Sequence, residues 1–173
     1  MKRVLLALVA ACALPALADD LVPSHLTGMW GTADSLFAGT TEQAEIYLQA
    51  DGFGLLAGSS APSTITSGPD KRKPGPRVTL GVPFRSGLDG ATLTIVPFNP
   101  GYRKDRGPSV ICRYQEADAT LHCNVDDKKS WIMKQRSAAL DPQTLQMIDE
   151  MKTALRAYAG KAGALLPAPT PRP

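Results

Sequence analysis

The sequence predicts a mainly β protein: about eight antiparallel strands in an up-and-down barrel, followed by one C-terminal α-helix. Three observations predict it. Strand-like patterns follow one another from Trp30 to Lys134 with almost no helical interruption. Two cysteines, Cys112 and Cys123, fall opposite each other when residues 110–125 are folded into a hairpin. The connections between strands alternate between long and short, as they do when successive turns emerge at opposite ends of one barrel.

The chain opens on an export signal rather than on the barrel. Lys2 and Arg3 precede an apolar run from Val4 to Leu14, and Ala16-Leu17-Ala18 places small residues at the first and third positions of a cleavage site. The run is too short to span a bilayer, which needs roughly 20 residues. Residues 1–18 are therefore expected to be removed, and the periplasm or the exterior is the predicted address. A second reading makes Val9-Ala10-Ala11-Cys12 a lipoprotein-type site, with Cys12 lipidated. No later segment is apolar enough for a transmembrane helix.

Cleavage removes Lys2 and Arg3, so 19 basic residues become 17 against 16 acidic ones. A domain so near neutrality does not have the charge of a nucleic-acid binder. Cleavage also removes Cys12, leaving Cys112 and Cys123 as a pair that should oxidise outside the cytoplasm. Residues 19–140 make the barrel, 141–160 a packed helix and 161–173 a Pro/Ala-rich disordered tail.

Taken in order, the first strand lies at Trp30. Ala44–Ala50 and Phe53–Ala57 flank Asp51-Gly52, a strong hairpin signal. A two-residue turn there sets Leu48 opposite Leu55 and Ile46 opposite Ala57. Val78, Leu80, Val82 and Phe84 then alternate with Thr79, Gly81 and Pro83, giving one apolar face. Pro83 cannot donate a ladder bond, so this strand must bulge or lie at an edge, and closure is expected to be complete or partial. Ser86–Gly90 is the next turn, before a strand at Thr92–Val96. In the hairpin 110–125, Val110, Cys112, Tyr114, Leu121, Cys123 and Val125 share one face, and Arg113, Gln115, His122 and Asn124 the other. Ser130–Lys134 is the eighth strand. Asp141 then caps a helix that has Pro142 at its first position and Gly160 at its end. Leu145, Ile148, Met151, Leu155 and Tyr158 form its apolar stripe, which should dock on the barrel.

The long connections, Ala33–Gln43, Gly58–Arg77 and Phe98–Pro108, should share one end and form an open mouth. Two of them are basic. Lys71, Arg72, Lys73 and Arg77 face only Asp70, and Arg103, Lys104 and Arg106 face only Asp105, so a rim that attracts an anionic partner is expected.

Gly28-Met29-Trp30 matches the G-x-W of the lipocalin-like (calycin) barrels, and Arg136 lies just past the last strand. With the C-terminal helix, these features make the chain resemble that family. The resemblance implies that Trp30 and Arg136 sit together at the barrel base, the arginine over the indole. The family's T-D-Y motif is replaced by Glu116-Ala117-Asp118-Ala119.

Catalytic motifs are absent: there is no G-x-S-x-G, H-E-x-x-H or P-loop. His122 is assigned to an outer strand face, and Glu42 and Glu45 to a solvated one. Asp126-Asp127 are followed by Lys128-Lys129, which would repel a cation, so neither a metal nor a cofactor is expected. The function expected is non-catalytic binding by a monomer, with a small apolar or amphiphilic ligand in or at the barrel mouth. The alternative is a protein-binding module, of the enzyme-inhibitor or toxin-immunity type, acting through its basic loops. The intact mass of the exported protein should begin at Asp19. A mass starting at an acylated Cys12 would replace a free protein with an anchored one.

Overall fold

The computed structural model describes residues 21–98, 109–125 and 129–163, with side chains as far as 158. The expected export signal, Arg103, Lys104, Arg106, Asp126-Asp127 and the end of the expected tail lie outside the described residues. The strands are β1 (Gly28–Gly31), β2 (Gln43–Leu48), β3 (Phe53–Ser59), β4 (Thr79–Asp89), β5 (Thr92–Pro97), β6 (Val110–Gln115), β7 (Thr120–Val125) and β8 (Lys129–Ser137). The helix is α1 (Pro142–Gly163). Each strand pairs antiparallel with the next, and β8 returns to β1, so the barrel is closed.

Closure is complete despite Pro83, for a local reason. Its carbonyl accepts from the Phe98 N–H at 2.8 Å, beyond the last β4–β5 ladder pair, Phe84↔Pro97. The missing Pro83 N–H therefore falls where the ladder has already ended, and no interior rung is lost.

The β6–β7 hairpin has the expected register: Val110↔Val125, Cys112↔Cys123 and Tyr114↔Leu121. Cys112 and Cys123 are bonded, with Cα atoms 4.0 Å apart, and both are buried in the core. Pairing β6 to β7 in this way closes a short loop, worth about 3 kcal/mol of stability.

The β2–β3 hairpin differs from expectation by one residue. Ile46 faces Leu56, Tyr47 faces Leu55 and Leu48 faces Gly54. The Gly52 N–H bonds to the Gln49 carbonyl at 3.0 Å, the Gln49 N–H bonds to the Phe53 carbonyl at 2.9 Å, and Gly52 has φ of +77°. The turn is therefore a three-residue loop closed by a left-handed glycine, not a two-residue turn. Because side chains alternate, the slip moves Phe53 and Leu55 from the interior to the outer wall. The β4–β5 turn also differs. Ser86–Asp89 are strand, and the chain reverses at Gly90-Ala91 between Asp89 and Thr92.

The interior is packed by Trp30, Ile46, Leu48, Phe84, Leu93, Ile95, Leu121 and Met133 around the disulfide. Eight strands enclose little more than their own side chains. Val22 and Leu26 close the lower end. The Val22 N–H bonds to the Ala50 carbonyl at 3.0 Å, and the Trp30 indole donates to the Leu26 carbonyl at 2.9 Å.

Outside, Ile148, Met151 and Leu155 of α1 pack on Phe53, Leu55 and Phe98. Leu145 and Tyr158, expected in the docked stripe, are exposed. Asp141 caps the helix, accepting from the N–H groups of Gln143 and Thr144, both at 3.0 Å. The helix does not stop at Gly160 but runs to Gly163, into the segment expected as tail.

Gly54 faces inward beneath the Phe84 ring. A β-carbon there would meet Phe84 Cζ at 2.5 Å and collide with the Tyr47 carbonyl. Neither backbone nor ring has room to yield, so Gly54→Ala should destabilise by about 2–3 kcal/mol, read as a lower urea midpoint. Thiol titration of the native protein should find Cys112 and Cys123 unreactive without denaturant.

Candidate functional site: the open end of the barrel

The closed meander sorts the connections by end. The links 32–42 and 60–78, and the strand ends Pro97, Val110, Val125 and Lys129, lie at one end. The tight turns and the Val22–Leu26 plug lie at the other. The open end holds a cleft of about 360 Å³. Its apolar lining comes from Ala44 on β2, Leu56 and Ala57 on β3, Val78 before β4, Leu80 and Val82 on β4, and Trp131 on β8. One inward position further down the same strands, Ile46, Phe84 and Met133 are fully buried and form the floor. Val78 and Leu80, assigned from the sequence to the apolar strand face, are 74% and 68% exposed. They lie on the inward side, but above the point where the opposite wall could cover them. At the edge, Lys129 pairs with Glu42, and its ammonium stands 5.9 Å from the Trp131 ring centre.

The long 60–78 connection forms a two-stranded arm. The N–H groups of Ser60, Ser63 and Ile65 bond to the carbonyls of Val78, Pro76 and Lys73 at 2.9, 3.1 and 3.1 Å, and the Arg72 N–H returns to the Ile65 carbonyl at 2.8 Å. Lys71, Arg72 and Lys73 are carried, exposed, at its tip, where Lys73 pairs with Asp70 at 2.6 Å. Arg77, the fourth cation assigned to this loop, is a clamp. Its guanidinium donates to the carbonyls of Thr41 (2.7 Å), Ser60 (2.8 Å), Ala38 (2.9 Å) and Gly39, tying the arm to the first connection.

Trp30 and Arg136 are separated. Trp30 points inward, edge-on to Tyr114 at 6.1 Å. Arg136 crosses the outer side of Gly31 and pairs with Glu45. The arginine-over-indole contact implied by the family resemblance is thus replaced by an ion pair on the outer wall. Glu45, expected on a solvated face, is only 4% exposed and also accepts from the Tyr47 hydroxyl. This cluster was not legible in the sequence because alternation along β2 places Glu45 outward but does not show that Arg136 of β8 reaches it across the intervening strand β1. Burial, with the hydrogen bond to Glu45 and its charge, pushes the Tyr47 phenol well above its ordinary value. His122 lies on the outer wall as expected, and its Nε2 is buried with no hydrogen-bond partner among the described residues. Among those residues no group of three or more potential metal ligands converges.

No protein-family model matches the chain, and neither the curated proteins nor the solved structures give a significant match. The architecture itself, a closed eight-stranded antiparallel barrel with one C-terminal helix, fits a lipocalin-like barrel at the level of its coarse plan.

Two outcomes test the outer-wall cluster. Glu45→Gln leaves Arg136 without its anionic partner and should cost roughly 3 kcal/mol. The raised Tyr47 pKa stabilises the fold below the phenol's unfolded value near 10. That contribution is lost as pH rises through and beyond 10, because the unfolded chain releases the proton first. The urea midpoint should therefore fall between pH 9 and 11, and less steeply in Tyr47→Phe.

Proposed function

We propose that this is an exported, periplasmic, lipocalin-like binding protein without catalytic activity, which holds a small apolar or amphiphilic ligand at the barrel mouth. The observation that carries it is the uncovered apolar cleft of about 360 Å³ bounded by Leu56, Leu80, Val82 and Trp131. Ligand sites span roughly 300–1,000 Å³ and are mostly apolar with a few polar groups at fixed positions. The cleft is at the small end of that range. The filled floor restricts the ligand to the mouth, and the Glu42–Lys129 pair offers a polar edge for one end of an amphiphile. The carboxylate and ammonium of that pair are committed to each other, which supports binding rather than turnover.

The packed interior and the projecting arm favour a second reading, a protein-binding module that acts through its loops and needs no cavity. Trp131 separates the two. Titration with medium-chain fatty acids in vesicle-free buffer should change Trp131 fluorescence, with Trp131→Phe removing the signal. Leu80→Asp should weaken binding at least tenfold, since a carboxylate would be desolvated by the ligand. Absence of any change with such acids would favour the loop-borne reading.

A further inference from the structure

We propose that the open end docks peripherally on an anionic lipid bilayer, with the arm tip at the headgroups and the mouth toward the membrane. This goes beyond the small-ligand reading, because it uses the same end of the barrel but needs no cavity.

Two kinds of side chain coincide there. The first is apolar: Phe37 in the first connection is 70% exposed, and Val78 and Leu80 are 74% and 68% exposed. Phe37 and Val78 belong to neither core cluster. The second is cationic: Lys71, Arg72 and Lys73 at the arm tip, with Lys129 at the mouth. The carboxylates among the described residues of that end are Asp34, Glu42 and Asp70, of which Glu42 and Asp70 already pair with Lys129 and Lys73. With Arg77 included, five cations stand against three carboxylates among the described residues of that end, on a chain that is almost neutral after the expected cleavage.

Arg77 makes the surface a single body. By holding the carbonyls of Ala38, Gly39 and Thr41 together with that of Ser60, it fixes the segment beside Phe37 to the base of the arm. The apolar and basic groups are thus presented together, with little ordering left to be done on binding.

An anionic bilayer satisfies both. Its headgroup–acyl boundary accepts apolar side chains without a matching pocket, and its surface potential attracts nearby Lys and Arg. An acidic protein face would answer the cations but would need separate complementary pockets for Phe37 and Val78. Each basic residue near such a surface contributes roughly fivefold in partition, so three contribute on the order of a hundredfold.

Flotation of the mature protein with phosphatidylglycerol-containing vesicles tests this, with pure phosphatidylcholine vesicles as the contrast. At low salt the protein should float with the anionic vesicles and not with the zwitterionic ones. Changing Lys71, Arg72 and Lys73 together to Ser should lower partition by roughly 10–100-fold. Phe37→Ser with Val78→Ser should lower it about tenfold. About 0.5 M salt should release the protein. These positions are exposed, so an unchanged urea midpoint confirms that the variants remain folded. No flotation with anionic vesicles, equal flotation with both kinds, or a triple variant that floats like the parent would overturn the proposal. Fatty-acid binding without flotation overturns docking alone. Flotation without fatty-acid binding leaves docking standing and removes the small-ligand reading.

Discussion

The pairing of β1 with β8 is the contact on which the rest of the structure depends. It turns a sheet of eight strands into a barrel, and β1 has only the four residues Gly28–Gly31 to form ladders on both sides. At both ends of this strand the neighbouring chain lies close. A β-carbon on Gly28 would strike the Ser137 carbonyl and come within 2.8 Å of the Ala138 backbone, and one on Gly31 would come within 2.8 Å of Arg136 Cδ. The two glycines allow the approach, and Trp30 between them fills the interior the approach encloses. The Gly28-Met29-Trp30 signature thus has a steric reason here that requires no ancestry.

Closure also decides where polar groups can sit. With every strand edge paired and the interior filled by apolar chains, an acidic residue on β2 must face outward. Glu45 does so, yet it is buried, because Arg136 reaches it across Gly31 and Tyr47 covers it on its own strand. Further along that wall, Lys152 of α1 bonds Gln49 at 2.8 Å and Asp51 at 2.7 Å. Burial tends to raise the Asp51 pKa, but the Lys152 ammonium and the Phe53 N–H more than offset it, and the carboxyl lies below its ordinary value. The helix is therefore docked by apolar contact at Ile148 and oriented by a polar fringe at the β2–β3 turn.

The parts legible in the sequence were those fixed by two independent constraints. The β6–β7 register followed because face and cysteine position agreed on one pairing. The β2–β3 register rested on the Asp51-Gly52 signal alone, and that signal also fits a longer loop ending in a left-handed glycine. One residue of slip exchanged Leu55 for Leu56 as the inward side chain and concealed the bed of α1, whereas the Glu45 cluster was concealed because its cation comes from β8 across β1. The mouth was hidden for another reason. Alternation along β4 shows which side Val78, Leu80, Val82 and Phe84 face, but not their height in the barrel, and height separates the buried Phe84 from the exposed Leu80. The arm resembled an irregular loop because its Ser, Gly and Pro content carries no strand pattern; its ladder comes from backbone bonds between residues up to 18 apart in sequence.

Arg77 shows why charge counted along a chain overstates what a surface can offer. It belongs to the same basic run as Lys71–Lys73, but its donors are spent on backbone carbonyls of two connections. Without it, the Ala38–Thr41 carbonyls would have no partner from the arm, and the two segments could move independently. Its contribution is therefore geometric: it fixes the first connection to the base of the arm, whereas Lys71, Arg72 and Lys73 stand exposed at the arm tip. The floor beneath them is closed by Ile46, Phe84 and Met133, and the lower end by Val22 and Leu26. A barrel packed in this way has little freedom to open along its length, which confines adjustable chemistry to the rim above the floor, where Phe37, Val78, Leu80, Trp131 and the arm meet solvent.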